Sequence, residues 1–168
     1  MVILGVVIAA GAMIQDLKCR RISNRYLLIC LAAVVCFRLV TAAGAVRLTI
    51  RDAAEGGMIP LLLLGVLYYF RMIGGADIKL LMVLGTLTGA GNSFTCVWRT
   101  VLFGAVLSAG IMAAHRSGPE RFRYLGGYIS RYLSTGERQP YRRPESWISA
   151  ANIHLTVPVL MAVLSLGL

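Results

Sequence analysis

Gly89-Ala90-Gly91-Asn92-Ser93 interrupts a stretch, residues 80–98, that carries no charge, and its reading decides the fold. As one continuous helix the stretch leaves five apolar segments in the chain. As a turn, which its glycines and the Asn-Ser pair favour, it leaves six. Apolar runs then occupy residues 2–15, 26–46, 58–70, 78–90, 94–114 and 147–168. The 168-residue chain is 58% hydrophobic, with a mean hydropathy of +0.75, far from the balance of a soluble domain. It reads as an integral membrane protein. A helix needs roughly 20 residues to cross a bilayer, so six crossings use most of the length and leave no separate soluble domain. The first, third and fourth runs are short, and are expected to borrow flanking residues or to sit in a locally thin membrane.

Charge placement decides between five and six. If loops alternate sides, one side receives Lys18, Arg20, Arg21 and Arg25, then Arg71 and Lys79, then Arg116, Arg121, Arg123, Arg131, Arg138, Arg142 and Arg143. These are 13 of the 17 basic residues, and by the positive-inside rule their side is cytoplasmic. Both termini then lie outside. Five crossings would put the last Arg-rich loop outside, against the rule. The net charge of +10 is thus read as orientation in a membrane, and no nucleic-acid partner is expected.

The segment Met1 to Gln15 has no basic residue ahead of it and no clear cleavage site, so it is expected to be a retained first helix. Cys19, Cys30, Cys36 and Cys96 form no CxxC pair and read as small core residues, with no metal site expected. His115 belongs to the basic segment, and His154 reads as a packing residue in the last apolar run. Arg38 and Arg99 are expected to snorkel or to face the bundle interior. Gly104, Ser108 and Gly110 suggest close helix packing, and Pro158 suggests a kink. Residues 115–146 form a basic cytoplasmic loop with two open readings. Phe122, Leu125, Tyr128, Ile129, Tyr132 and Leu133 recur at helical spacing among arginines, as in an interfacial helix. The other reading is a flexible positive loop that fixes topology.

Two aspartates stand where apolar runs meet basic turns. Asp16 opens Asp16-Leu17-Lys18-Cys19-Arg20-Arg21-Ile22-Ser23-Asn24, and Asp77 lies in Gly74-Gly75-Ala76-Asp77-Ile78-Lys79. A carboxyl at a bilayer boundary is costly unless it pairs, faces water or performs chemistry. With alternating helices, both fall on the cytoplasmic side. Two carboxyls in contact share one proton, so that one activates water while the other donates to a carbonyl oxygen. Gly74 and Gly75 give the backbone freedom to bend and let a substrate strand approach. The competing reading is purely structural: Asp16 paired with Lys18 or Arg20, and Asp77 capping a helix or paired with Lys79. The third aspartate, Asp52, falls in the expected outer loop near Arg51 and Glu55 and reads as a solvated charge.

These two elements, D-x-K/R-x-R-x-I-x-N and G-x-small-D-x-K in this order, resemble the motifs of the type IV prepilin peptidases, membrane aspartyl proteases. The short interval between the first two helices is similar to the peptidase-only members that serve tight-adherence (Flp-type) pili. The resemblance spans roughly residues 10–110 and implies an all-α polytopic membrane protein, about six transmembrane helices forming a single peptidase domain over 1–168. It implies Asp16 and Asp77 as the catalytic pair, with Lys18, Asn24, Gly74, Gly75, Ala76 and Lys79 completing the motifs near the substrate. Ser23 stands where proline is common and Ala76 where many members have glycine, which bears on substrate preference. The implied substrate is a prepilin with a short basic leader and a hydrophobic helix, cut at the cytoplasmic face of the bacterial inner membrane. Membrane lipid and a pilus assembly machinery are the other implied partners. No cofactor is implied. Longer members carry an inserted domain for N-methylation, which this chain has no room for, so methyltransferase activity is not expected. Two alternatives remain at this level: a small ion-coupled transporter, and a non-catalytic scaffold of a pilus or secretion system.

Overall fold

The computed structural model describes residues 1–19, 22–42, 44–70, 73–114 and 155–167, together with 123, 126, 127, 130 and 134. The continuous described segments hold α1 (Val2–Cys19), α2 (Asn24–Thr41), α3 (Val46–Tyr69), α4 (Gly75–Thr88), α5 (Ala90–Ala114) and α6 (Thr156–Leu166), and no strand occurs among the described residues. Helices α1, α2 and α5 are long and apolar enough to cross a membrane. The outward faces are apolar: Ile3, Val40 and Leu62 are 82%, 84% and 71% exposed. A soluble protein rarely presents such continuous apolar surface. The chain is an all-helical membrane protein.

The doubtful stretch at 80–98 breaks at Gly89. Its φ of +81° lies in the left-handed region that side chains disfavour, its N–H returns to Gly85 O at 2.9 Å, and α5 begins at the next residue. The break is a single glycine, tighter than the five-residue turn that the sequence suggests. Helix α3 departs further from expectation. It starts at Val46, well before the apolar run at 58, because the mixed polar and apolar stretch Arg47 to Glu55 continues the helix and Arg51 Nε pairs with Glu55 Oε1 at 2.7 Å one turn on.

Helix α4 is the axis of the bundle. Ile78, Leu80, Leu81, Val83, Leu84, Gly85 and Leu87 are all buried, as expected for a helix that is apolar all round, and α1, α2, α3 and α5 pack against it. Helix α3 approaches it through glycine on glycine: a Cβ on Gly56 would overlap the carbonyl oxygen of Gly85, and one on Gly85 the carbonyl oxygen of Gly56. Such small-residue contacts let backbones meet where lipid supplies no hydrophobic drive between helices.

Side-chain contacts fix the helix directions. The Gly5 end of α1 faces Leu84 and Leu87 of α4 and Val163 of α6, so α1 runs against both. Asn24 of α2 meets Lys79, and Arg38 further along α2 meets Thr86, so α2 runs with α4. Gly57 of α3 faces Thr86, and Tyr68 faces Gly75, so α3 runs against α4. Arg99 of α5 reaches Ser165, while Gly104 faces Pro158, so α5 and α6 are antiparallel. The six helices thus alternate. One end, the motif end, gathers the C-termini of α1, α3 and α5 and the N-termini of α2, α4 and α6. Both chain ends lie at the other, where Gly167 sits against Val2.

Several local expectations resolve differently. Pro158 is the third residue of α6, inside the first turn, where a missing N–H has no helical partner to lose. Gly104 packs near Pro158, whereas Gly110 has open space around it. Cys30 and Cys96 are buried, but Cys19 and Cys36 are exposed and are not core residues. Arg123, Gly126, Gly127, Ser130 and Ser134 are helical and exposed. The apolar positions of that segment, and His115 and His154, lie outside the described residues.

Candidate active site

Asp16 and Asp77 both stand at the motif end. Asp16 lies in the last turn of α1, and Asp77 is the third residue of α4. At 1.5 Å per residue, Asp16 rises ~16 Å along α1 from the level where Gly5 meets Leu84 and Leu87. Asp77 rises ~13 Å along α4 from the same level, so the two residues lie within about one helical turn of the same level on neighbouring antiparallel helices. Both are half-buried.

The surroundings of Asp77 explain its motif. Gly74 precedes α4 with φ −70° and ψ 138°, an extended conformation open to any residue, so backbone freedom is not what glycine supplies here. Its missing side chain is what matters. A Cβ on Gly74 would stand 3.0 Å from Asp77 Oδ2, and one on Gly75 would stand 3.1 Å from the Tyr68 ring. The two glycines let the aspartate fold back over the start of its helix and let α3 close over the first turn. Asp77 N–H donates to Gly74 O at 3.2 Å. Ala76 packs against the core.

The two motifs are joined by side chains. Lys79 Nζ donates to Asn24 Oδ1 at 3.1 Å, linking α4 to the first residue of α2, so its amine reaches the first motif. Gln15, beside Asp16, accepts the Ser23 N–H at 3.2 Å. Tyr26 donates to Ile8 O at 2.9 Å, a contact possible because position 11 is glycine, whose Cβ would overlap the Tyr26 hydroxyl. Lys18 is exposed, and Arg20 and Arg21 lie outside the described residues. From the Asn24–Lys79 bond an apolar groove of about 610 Å³ runs between α2, α3 and α4 past Leu27, Leu28, Met58 and Met82 to Thr86.

One neighbour of Asp16 is not visible in the sequence motifs. Thr156, at the start of α6, donates from Oγ1 to Asp16 Oδ2 at 3.0 Å across 140 positions of chain. The available signal was a Thr two residues ahead of a Pro at the head of an apolar run, which marks a helix start but names no partner.

Asp52 is not a solvated loop charge. It lies in α3, bonded to Arg38 Nη2 at 2.5 Å, and its other oxygen accepts the N–H of Ala90 at 3.0 Å. It therefore caps α5 and holds α2, α3 and α5 together at the end opposite Asp16 and Asp77. Arg38 also donates from Nε to Thr86 O at 3.2 Å, so it faces the interior, as Arg99 does.

A family model described as the type IV leader peptidase family matches residues 1–113. No curated protein and no solved structure gives a match.

Proposed function

Because the chain belongs to the type IV leader peptidase family, and is by that membership a protease of the membrane, we propose that Asp16 and Asp77 are its catalytic pair. The observation that supports this is their placement. Two motif aspartates separated in sequence by two intervening helices come to one end of the bundle at similar levels, one on the central helix and one on its antiparallel neighbour. Two carboxyls brought into contact around a bound water share a proton. One takes a proton from water, whose oxygen attacks the scissile carbonyl carbon, while the other protonates the carbonyl oxygen. The resulting diol collapses and the C–N bond breaks: the proton gained from water passes to the departing amine, and a diol hydroxyl returns its proton to the carboxylate that had protonated the carbonyl oxygen. Water is consumed and the carboxyls return to their starting state.

The substrate is a prepilin of the short Flp type, with a basic leader ahead of a hydrophobic helix, and the motif end faces the cytoplasm. A site at the membrane boundary reaches a bond just ahead of such a helix without unwinding it. Lys18, Asn24, Gly74, Gly75, Ala76 and Lys79 border the bond that is cut. No methyl transfer accompanies cleavage, since only positions 20–23 separate α1 from α2; methyl transfer from S-adenosylmethionine to a cleaved pilin by the purified protein would contradict this. The deciding experiment is co-expression with short pilins from the same genome, reading leader removal by mass. Wild type is expected to remove the leader and Asp16→Ala and Asp77→Ala to leave it, at equal protein levels. Processing by either variant would reject the assignment.

A further inference from the structure

The geometry points to Thr156 as a positioning residue for Asp16, an inference that rests on the peptidase reading of that aspartate. Thr156 is wholly buried, and its hydroxyl is directed to one oxygen of a carboxyl on another helix. A buried hydroxyl seeks a partner, and here the partner is Asp16. The bond restricts rotation of the carboxyl about Cβ–Cγ. It also places Asp16 beside the first turn of α6, where the helix dipole favours an anion. That opposes the dipole of α1, which presents its negative end to Asp16, so the field at the site is set by two helices and not by the one that carries the residue.

Helix α6 is itself held in place. Arg99 Nη1 donates to the Ser165 carbonyl and, at 3.1 Å, to its hydroxyl, anchoring the C-terminal turn. Val159 and Ala162 are fully buried, and Pro158 lies beside Gly104 of α5. A donor mounted on so fixed a helix keeps Asp16 in one orientation while water and substrate exchange around it. Holding a reacting group in a single geometry is worth about 10²-fold per ångström of misplacement avoided. The role explains why a helix remote in sequence from both motifs belongs to the site.

The test uses the full-length protein in lipid nanodiscs and a pilin-leader peptide. Thr156→Val keeps shape and removes the donor; Thr156→Ser keeps the donor. Thr156→Val is expected to lower kcat on the order of ten- to a hundredfold with KM changed less than about threefold, and Thr156→Ser to restore kcat. A wild-type kcat in Thr156→Val, or a Thr156→Ser as impaired as Thr156→Val, overturns the role. Asp16→Ala and Asp77→Ala run beside them: cleavage surviving in those variants sinks the peptidase reading, whereas dead aspartate variants with a normal Thr156→Val sink only the positioning role. Infrared difference spectra supply a readout without turnover. Thr156→Val should move an aspartate carboxyl band, and the movement should vanish in an Asp16→Asn background. An unmoved band overturns the contact.

Discussion

The two ends of the bundle use their polar groups in opposite ways. At the far end Arg38, Asp52 and Arg99 are turned onto helix ends and onto each other: Asp52 caps α5, Arg38 reaches Thr86 O, Arg99 holds the last turn of α6, and Ser93 Oγ donates to Gly56 O at 2.7 Å. Glycines bring α3 and α4 into backbone contact there. At the motif end side chains bond to side chains between the two motifs and from α6 to Asp16, beside the side-chain to backbone bonds of Gln15 and Tyr26. Rigid packing at one end lets the other carry exposed, exchangeable polar groups, which sites of chemistry require and which weaken a fold.

The comparison is broken most severely by Asp16→Ala or Asp77→Ala. Each should reduce leader cleavage by about 10⁴-fold or more, as loss of an essential catalytic group does, while the unfolding midpoint in detergent stays close to wild type. A loss of fold in either would mean that the motif end also carries stability. Gly85→Ala attacks the other end. Its Cβ would meet the Gly56 carbonyl and Ser93 Oγ, and overpacking against backbone should cost about 3 kcal/mol, read as an early transition in SDS or thermal unfolding.

Asp52→Ala comes next. Removing the cap of α5 and leaving Arg38 without its carboxylate should cost about 2 kcal/mol, with kcat of the folded fraction unchanged; a stability equal to wild type would show that the clasp is idle. Asn24→Ala sharpens the comparison from the motif side. It frees Lys79 beside the groove and should change KM by about threefold to tenfold, the loss of one exposed hydrogen bond from the lysine ammonium, with little change in unfolding. Glu55→Gln should alter neither measurement, because its pair with Arg51 is solvated, and it supplies the silent control that Asp52 does not.

The helices were legible because hydropathy is a local property. The apolar runs announce α1, α2, α4 and α5, the uncharged stretch at 80–98 divides at its glycine, and the motif aspartates stand out because a carboxyl is expensive beside lipid. Polar helix is harder to see. Arg47 to Glu55 read as a loop because no apolar stripe marks it, although its Arg51–Glu55 spacing is helical.

Chain chemistry alone therefore determined that these residues form membrane helices, and, through the order of two acidic motifs, which family they belong to. Only the folded bundle decided the partners: that Asp52 answers Arg38 and caps α5, that Gly56 exists for Gly85, and that Thr156 serves Asp16 from 140 residues away. Those pairings depend on how each helix is rotated and in which direction it runs. Rotation and direction are settled by packing the described helices together, and no single segment encodes them.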